Sequence, residues 1–241
     1  MVKKNKKGKP TPRRGKLIVI DGTDSSGKAT QAKLLIGHLR KDRQKVKVVD
    51  FPNYYSNFFG AFIGHCLSER YYDFVKVHPK IASALYAADR YESKDKIIKW
   101  LRDGNVVIAN RYASANQIHQ GGKIANTKKR KSFLEWLAKM EYKVFKIPRP
   151  DAVIYLDVPI SIVLKLIKER NKNSNRGYLG KKKDVHEKDV NFLENSRKSA
   201  LWLAETQKNW IKIECAKNGF LDTRENIHRE IYGKIKKIIK K

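Results

Sequence analysis

Short, wholly apolar runs alternate along this chain with longer stretches in which apolar positions return every three or four residues. The run "KLIVID" (16–21) is β-branched and stops at Gly22, the pattern of a strand buried on both faces. From Lys28, "KATQAKLLIGHLRKD" places Leu34, Leu35 and Leu39 at helical spacing. "VKVVDF" (46–51) predicts a second strand, closed by Pro52. Residues 56–102 predict two helical stretches, the second carrying "IASALYAADRYESKDKIIKWL". "NVVIAN" follows the Asp103-Gly104 turn as a third strand, "DAVIYLD" follows Pro148 and Pro150 as a fourth, and "IKIEC" is a shorter fifth. No internal repeat is visible.

Strands separated by helices imply an α/β architecture, a parallel sheet with helices on both faces, because parallel neighbours need long crossovers. In such sheets ligands collect beyond the carboxyl ends of the strands. Asp21, Phe51, Asn110 and Asp157 all fall at such ends, which predicts that four segments converge on one crevice.

At 241 residues the chain suits one compact unit. It carries 54 Lys and Arg against 24 Asp and Glu, a net charge of +30. Such a surface attracts polyanions. The excess is spread along the chain without an interleaved aromatic and basic pattern, so a Lys-rich solvated surface explains it more simply than a nucleic-acid face. Residues 1–15 hold basic residues, no acid and no apolar cluster, and read as a disordered basic tail preceding a domain that spans 16–241. Cys66 and Cys215 have no paired spacing, which argues against a disulfide framework or zinc knuckle and makes the cytoplasm the expected compartment. No apolar run is long enough to cross a bilayer, and the amino terminus lacks the apolar segment of a secretory signal.

The sharpest chemical signal is Gly22-Thr23-Asp24-Ser25-Ser26-Gly27-Lys28, lying between the first strand and first helix. The glycines permit a backbone that wraps a phosphate with N–H groups, the helix presents its positive end, and Lys28 adds a mobile charge. The position after the lysine, which in this pattern supplies a hydroxyl to Mg²⁺, is Ala29. Thr30 lies about 100° further round the helix. Either water fills that coordination position or the ion is held elsewhere.

"IDGTDSSGKATQAKLL" resembles the opening of the thymidylate kinases, a family of P-loop nucleoside monophosphate kinases. The likeness continues through "FPNYYSNFFGAFI", "ALYAADRYE", "NRYASANQIHQGGK", "PDAVIYLDVP" and "ERNKNSNRGYLGKKKDVHEKD", in family order. The resemblance implies a five-stranded parallel sheet, transfer of the ATP γ-phosphate to dTMP with Mg²⁺, usually a homodimer, and a mobile lid at about residues 171–187. It implies that residues Gly22 to Thr30 hold ATP and that Asp24 holds the acceptor sugar near its 3′-hydroxyl, although Asp24 read alone could cap a turn. Tyr86 and Arg90, at i and i+4 on one helix face, would stack on the acceptor base and donate to its carbonyl edge. Pro52 would line the acceptor site, and Arg111 would clamp the acceptor phosphate. With small residues at Ser25 and Ser26, the lid would supply the catalytic cation, from Arg170, Arg176 or Lys181 to Lys183, of which Arg176 is preferred.

Three departures stand against this pattern. Ala29 lacks the hydroxyl, Asn110 replaces the aspartate of the family's Asp-Arg pair, and Tyr54 stands near where some members carry an arginine. The metal ligands are therefore not assigned by the sequence, although Asp21 and Asp157 offer carboxylates. A kinase for another nucleotide or a nucleoside, and a non-catalytic polyanion-binding relic of the fold, remain open alternatives.

Overall fold

Five strands form one parallel sheet in the computed structural model, which describes residues 14–68, 74, 76–173 and 189–240. They are β1 (Leu17–Gly22), β2 (Val46–Asp50), β3 (Val106–Asn110), β4 (Ala152–Asp157) and β5 (Trp210–Glu214), in the spatial order β2-β3-β1-β4-β5. β1 is central, and the chain winds first to one side of it and then to the other. The register aligns the carboxyl ends: Asp50 lies opposite Asn110, Ile20 opposite Asn110, and Asp21 opposite Tyr155.

The period-two alternation of side chains sorts each central strand between two cores. Leu17, Val19, Val107, Ala109, Val153 and Tyr155 face one, which is covered by α4 (Lys94–Arg102), α6 (Thr127–Lys139) and α8 (Val190–Thr206). Ile18, Ile20, Ile108, Ile154 and Leu156 face the other, under α1 (Lys28–Lys41), α7 (Ile160–Asn173) and α9 (Arg224–Lys240). A smaller cluster of Ile63, Cys66, Leu67, Phe74 and Ala82 joins α2 (Phe58–Leu67) to α3 (Pro79–Glu92) and braces Tyr86 from behind.

Two local details differ from the sequence reading. The helical stretch expected through residues 81–101 is two helices, because it breaks at Ser93. The Ser93 N–H closes α3 on Arg90 O, its carbonyl accepts from Ile97 N in α4, and its hydroxyl accepts from Asn57 Nδ2. A serine that competes for backbone bonds at the junction of two apolar stripes ends one helix and starts the next. Beyond β5, an antiparallel pair, β6 (Ala216–Lys217) and β7 (Phe220–Leu221), turns at Asn218 and Gly219 with φ of 51° and 79°. The Asn-Gly dipeptide is the signal for such a turn.

After β3 the chain enters one short helical turn, α5 (Ala113–Ala115), which widens into a π-helical segment at Asn116–Gln120. α6 widens in the same way over Met140–Val144. Segments of this kind rotate side chains off the ordinary helical faces and are frequent beside functional sites. These two place Asn116, His119 and Glu141 toward the crevice at the carboxyl edge of the sheet.

Candidate active site

A cleft of about 820 Å³ opens at that edge. Its floor is the loop between β1 and α1. Gly27 takes the left-handed conformation (φ 84°) that turns the chain into α1, and a Cβ on Gly22 would meet Ser26 Oγ at 2.5 Å and Leu156 O at 3.0 Å. Both positions therefore exclude larger residues. Lys28 folds back over the loop, its Nζ donating to Gly22 O (3.1 Å) and Thr23 O (2.6 Å). An ammonium held by carbonyls at the mouth of an N–H cradle is placed to exchange them for phosphate oxygens. The hydroxyls of Thr23, Ser25 and Ser26 are buried without a hydrogen-bond partner among the described residues, which fits a loop built for a polar ligand. Ala29 and Thr30 face the same cleft, with Leu166 and Arg224 beyond them.

Above the loop, Arg111 is the first residue after β3 and adopts a left-handed backbone (φ 63°), costly for an arginine by about 1–3 kcal/mol. Its N–H is fixed to Ile20 O at 2.9 Å. Its guanidinium pairs through Nη2 with Asp24 and approaches His119 Nε2 through Nη1 at 3.1 Å. Burial alone would lower the Arg111 pKa, but Asp24 and the buried Asp21 more than reverse it, so the charge is secure.

The far wall carries Tyr86 and Arg90 from α3, with Pro52, Tyr54 and Asn116. Arg90 is gripped through Nε and Nη2 by the Glu141 carboxylate, both side chains being 2% exposed. That leaves Nη1 unengaged by Glu141, and Arg90 lines the cleft. Asn116 commits both amide protons, to Ser83 O at 3.1 Å and Glu141 Oε1 at 3.2 Å, so its carbonyl oxygen is what it can offer a ligand.

The expected convergence of strand ends is only partly met. Phe51 and Asn110 line the cleft; Asp21 and Asp157 do not. Asp21 is wholly buried beneath the loop, accepting from Ser114 Oγ (2.5 Å) and Gly22 N (2.9 Å), and burial raises its pKa against the pull of Arg111, Ser114 and Lys28. Asp157 is held bidentately by Arg197, at 2.7 and 3.1 Å. Neither carboxylate is available to a cation in the cleft. Asn110 Oδ1, by contrast, is buried, lines the cleft and has no partner among the described residues.

Of the residues singled out in the sequence, Gly22 to Thr30, Pro52, Tyr54, Tyr86, Arg90, Asn110 and Arg111 lie at this one cleft or in its floor. Arg176, Lys181 to Lys183 and most of the expected lid lie outside the described residues, as do residues 1–13. Sequence reasoning missed Asn116, His119, Glu141 and Phe192. The quoted segment "NRYASANQIHQGGK" contained the first two, but nothing local marks Glu141 as the partner of an arginine 51 positions earlier.

A phosphate loop at the end of a central strand, sharing its cleft with Tyr86, Arg90 and Asn116 on the far wall, fits a P-loop kinase of the nucleoside monophosphate type. The family model described as thymidylate kinase matches residues 20–230, and the chain belongs to that family. It is 30% identical over 230 residues to a probable thymidylate kinase of Thermococcus gammatolerans, covering 93% of this chain and 98% of the relative. It is 28% identical over 236 residues to the thymidylate kinase of Plasmodium falciparum, covering 94% and 92%. The solved structure of thymidylate kinase from Candida albicans superposes with a TM-score of 0.70 at 20% identity over 93% of this chain and 92% of that one, which shows the shared fold.

Proposed function

We propose that this enzyme transfers the γ-phosphoryl group of ATP to dTMP, giving dTDP and ADP, in pyrimidine deoxynucleotide synthesis. The observation that carries the reading is on the far wall, where Arg90 and Asn116 both line the cleft and share the Glu141 carboxylate, which leaves Arg90 Nη1 as a donor and Asn116 Oδ1 as an acceptor. Thymine presents a carbonyl beside a ring N–H, the complement of that pair, whereas cytosine presents an amine beside a bare ring nitrogen. Tyr86 supplies an aromatic face for the base.

In this reading the loop N–H groups and Lys28 hold the β and γ phosphates, and Arg111 holds the acceptor phosphate. Asp24 accepts from the sugar hydroxyl, so nucleotide binding exchanges its bond to Arg111 for one to substrate. Phosphoryl transfer depends on such positioning and on neutralising charge. Mg²⁺ would lie against the nucleotide oxygens, with Asn110 Oδ1 and water as its remaining ligands, and would neutralise β and γ charge. No cluster of three His, Cys, Asp or Glu side chains able to hold a metal exists among the described residues. Arg176 of the lid is assigned the catalytic cation on the family likeness alone.

The same reading brings a homodimer, for which exposed Phe58, Ile81, Tyr91 and Val144 offer apolar surface, and a cytoplasmic setting, in keeping with two buried cysteines far apart in sequence. Weak polyanion binding is assigned to the basic tail. No helix among the described residues is long and apolar enough to cross a membrane. The deciding measurement is coupled ADP release across all nucleoside monophosphates and nucleosides: dTMP should give the highest kcat/KM. Preference for another acceptor, or no release with any, overturns the reading.

A further inference from the structure

His119 lines the cleft from the π-helical segment, nearly buried, with each ring nitrogen against a different element. Arg111 Nη1 lies 3.1 Å from Nε2, and Ser196 Oγ of α8 lies 3.2 Å from Nδ1. The ring stacks on Phe192 of the same helix, with centroids 5.8 Å apart and planes 18° from parallel. A ring flipped over would turn carbons toward both polar partners, so the two contacts set its orientation. Elementary chemistry then sets the proton. A guanidinium has only donors, so a hydrogen bond to it uses the Nε2 lone pair, the tautomer that carries its proton on Nδ1 and donates it to Ser196 Oγ.

We infer that His119 is a positioning residue for Arg111: through the lone pair on Nε2 it keeps the guanidinium aimed at the acceptor phosphate once Asp24 has turned to the acceptor sugar. The inference rests on the assignment of Arg111 made above. Among the described residues Arg111 has two side-chain anchors, Asp24 on Nη2 and His119 on Nη1. The first is a group that substrate recruits. With that anchor gone, a long side chain on a strained backbone would keep, of these two, His119 to define its direction, and each lost restraint on a positioned group weakens binding and transfer. A neutral acceptor serves better here than a carboxylate would, since it orients the guanidinium without neutralising the charge that the phosphate needs.

The test uses the full chain in steady-state assays, varying dTMP at saturating MgATP and then MgATP at saturating dTMP. His119→Phe keeps an aromatic ring for Phe192 but has no lone pair in the plane; it should raise KM for dTMP about tenfold or more, the effect of losing one hydrogen bond to a charged group. KM for ATP should stay within about twofold on the same grounds. His119→Gln places an amide oxygen near the position of Nε2 and should recover most of the loss. Ser196→Ala, which frees the ring to carry its proton on Nε2, should raise KM for dTMP less than His119→Phe does. His119→Leu carries the same expectation as His119→Phe should the latter not fold. Equal effects of His119→Gln and His119→Phe, or a fall in kcat with both KM values moving together, would mark a packing role and overturn the inference. Arg111→Ala separates the two levels. If it leaves KM for dTMP unchanged, the assignment of Arg111 itself is wrong; if it raises KM while His119→Phe does not, only the inference about His119 falls.

Discussion

Arg90 and Glu141 form a buried ion pair between α3 and the π-helical end of α6, with Arg90 Nε 3.1 Å from Glu141 Oε2 and both side chains 2% exposed. Burial would lower the Arg90 pKa, and the Glu141 charge and hydrogen bonds outweigh it. Removing one member leaves an uncompensated buried charge, so Glu141→Leu should destabilise the fold by about 3–5 kcal/mol. The double variant Arg90→Met with Glu141→Leu should recover most of that stability and still lose dTMP turnover. Urea unfolding beside kinetics checks both halves; a double variant that turns over dTMP normally would separate Arg90 from acceptor binding.

Lys28 presents a charge to the loop mouth and contributes two hydrogen bonds to loop carbonyls. Lys28→Met should lower kcat by about a hundredfold to a thousandfold, the effect of removing one preorganised donor from a developing charge. Its cost in stability should be about 1 kcal/mol. Near-normal turnover in a folded variant would remove the phosphate-loop assignment.

Ala29 and Asn110 face the cleft where a carboxylate-poor cation site is expected. Ala29→Ser and Asn110→Asp each restore an oxygen and should each lower the Mg²⁺ concentration for half-maximal turnover by roughly fivefold, equivalent to about 1 kcal/mol. Turnover against Mg²⁺ for the parent and the two variants decides it. A natural chain inactive at every Mg²⁺ concentration, with the double variant active, would make it a relic.

Burial pushes the Cys215 thiol up to about 12, helped by the charge of Asp157 nearby. The folded pKa is raised above the unfolded value near 8.5, so the folded state holds the proton more tightly. This contribution is complete below about pH 8.5 and is lost as pH rises toward 12. Because the reactive species is the thiolate, Cys215 in the native protein should not react with a thiol reagent at pH 8 until urea unfolds it. Prompt labelling of Cys215 in the folded protein would show that it is not enclosed as described.

Local composition was enough to place the strands. "KLIVID", "NVVIAN" and "DAVIYLD" are apolar on both faces and punctuated by Gly or Pro, which permits little except buried parallel strands, and the glycine-bounded loop before Lys28 needs no distant contact to be recognised. The resemblance then set Tyr86, Arg90 and Arg111 on one cleft. Ser93 was legible in principle, yet two helices with apolar stripes in register look like one until the hydroxyl and backbone bonds are seen. The partners were of another kind. That Arg90 answers to Glu141, Arg111 to Asp24 and His119, and Asp157 to Arg197 follows from crossovers that bring residues 40–87 positions apart within hydrogen-bond reach, or, for His119, from a π-helical turn that redirects a side chain. Strand and loop identities arise from short-range sterics and hydrophobicity written in consecutive residues. Ionic and hydrogen-bond pairing among polar side chains arises from their placement in three dimensions, where a shift of one helical turn would give each of them a different neighbour.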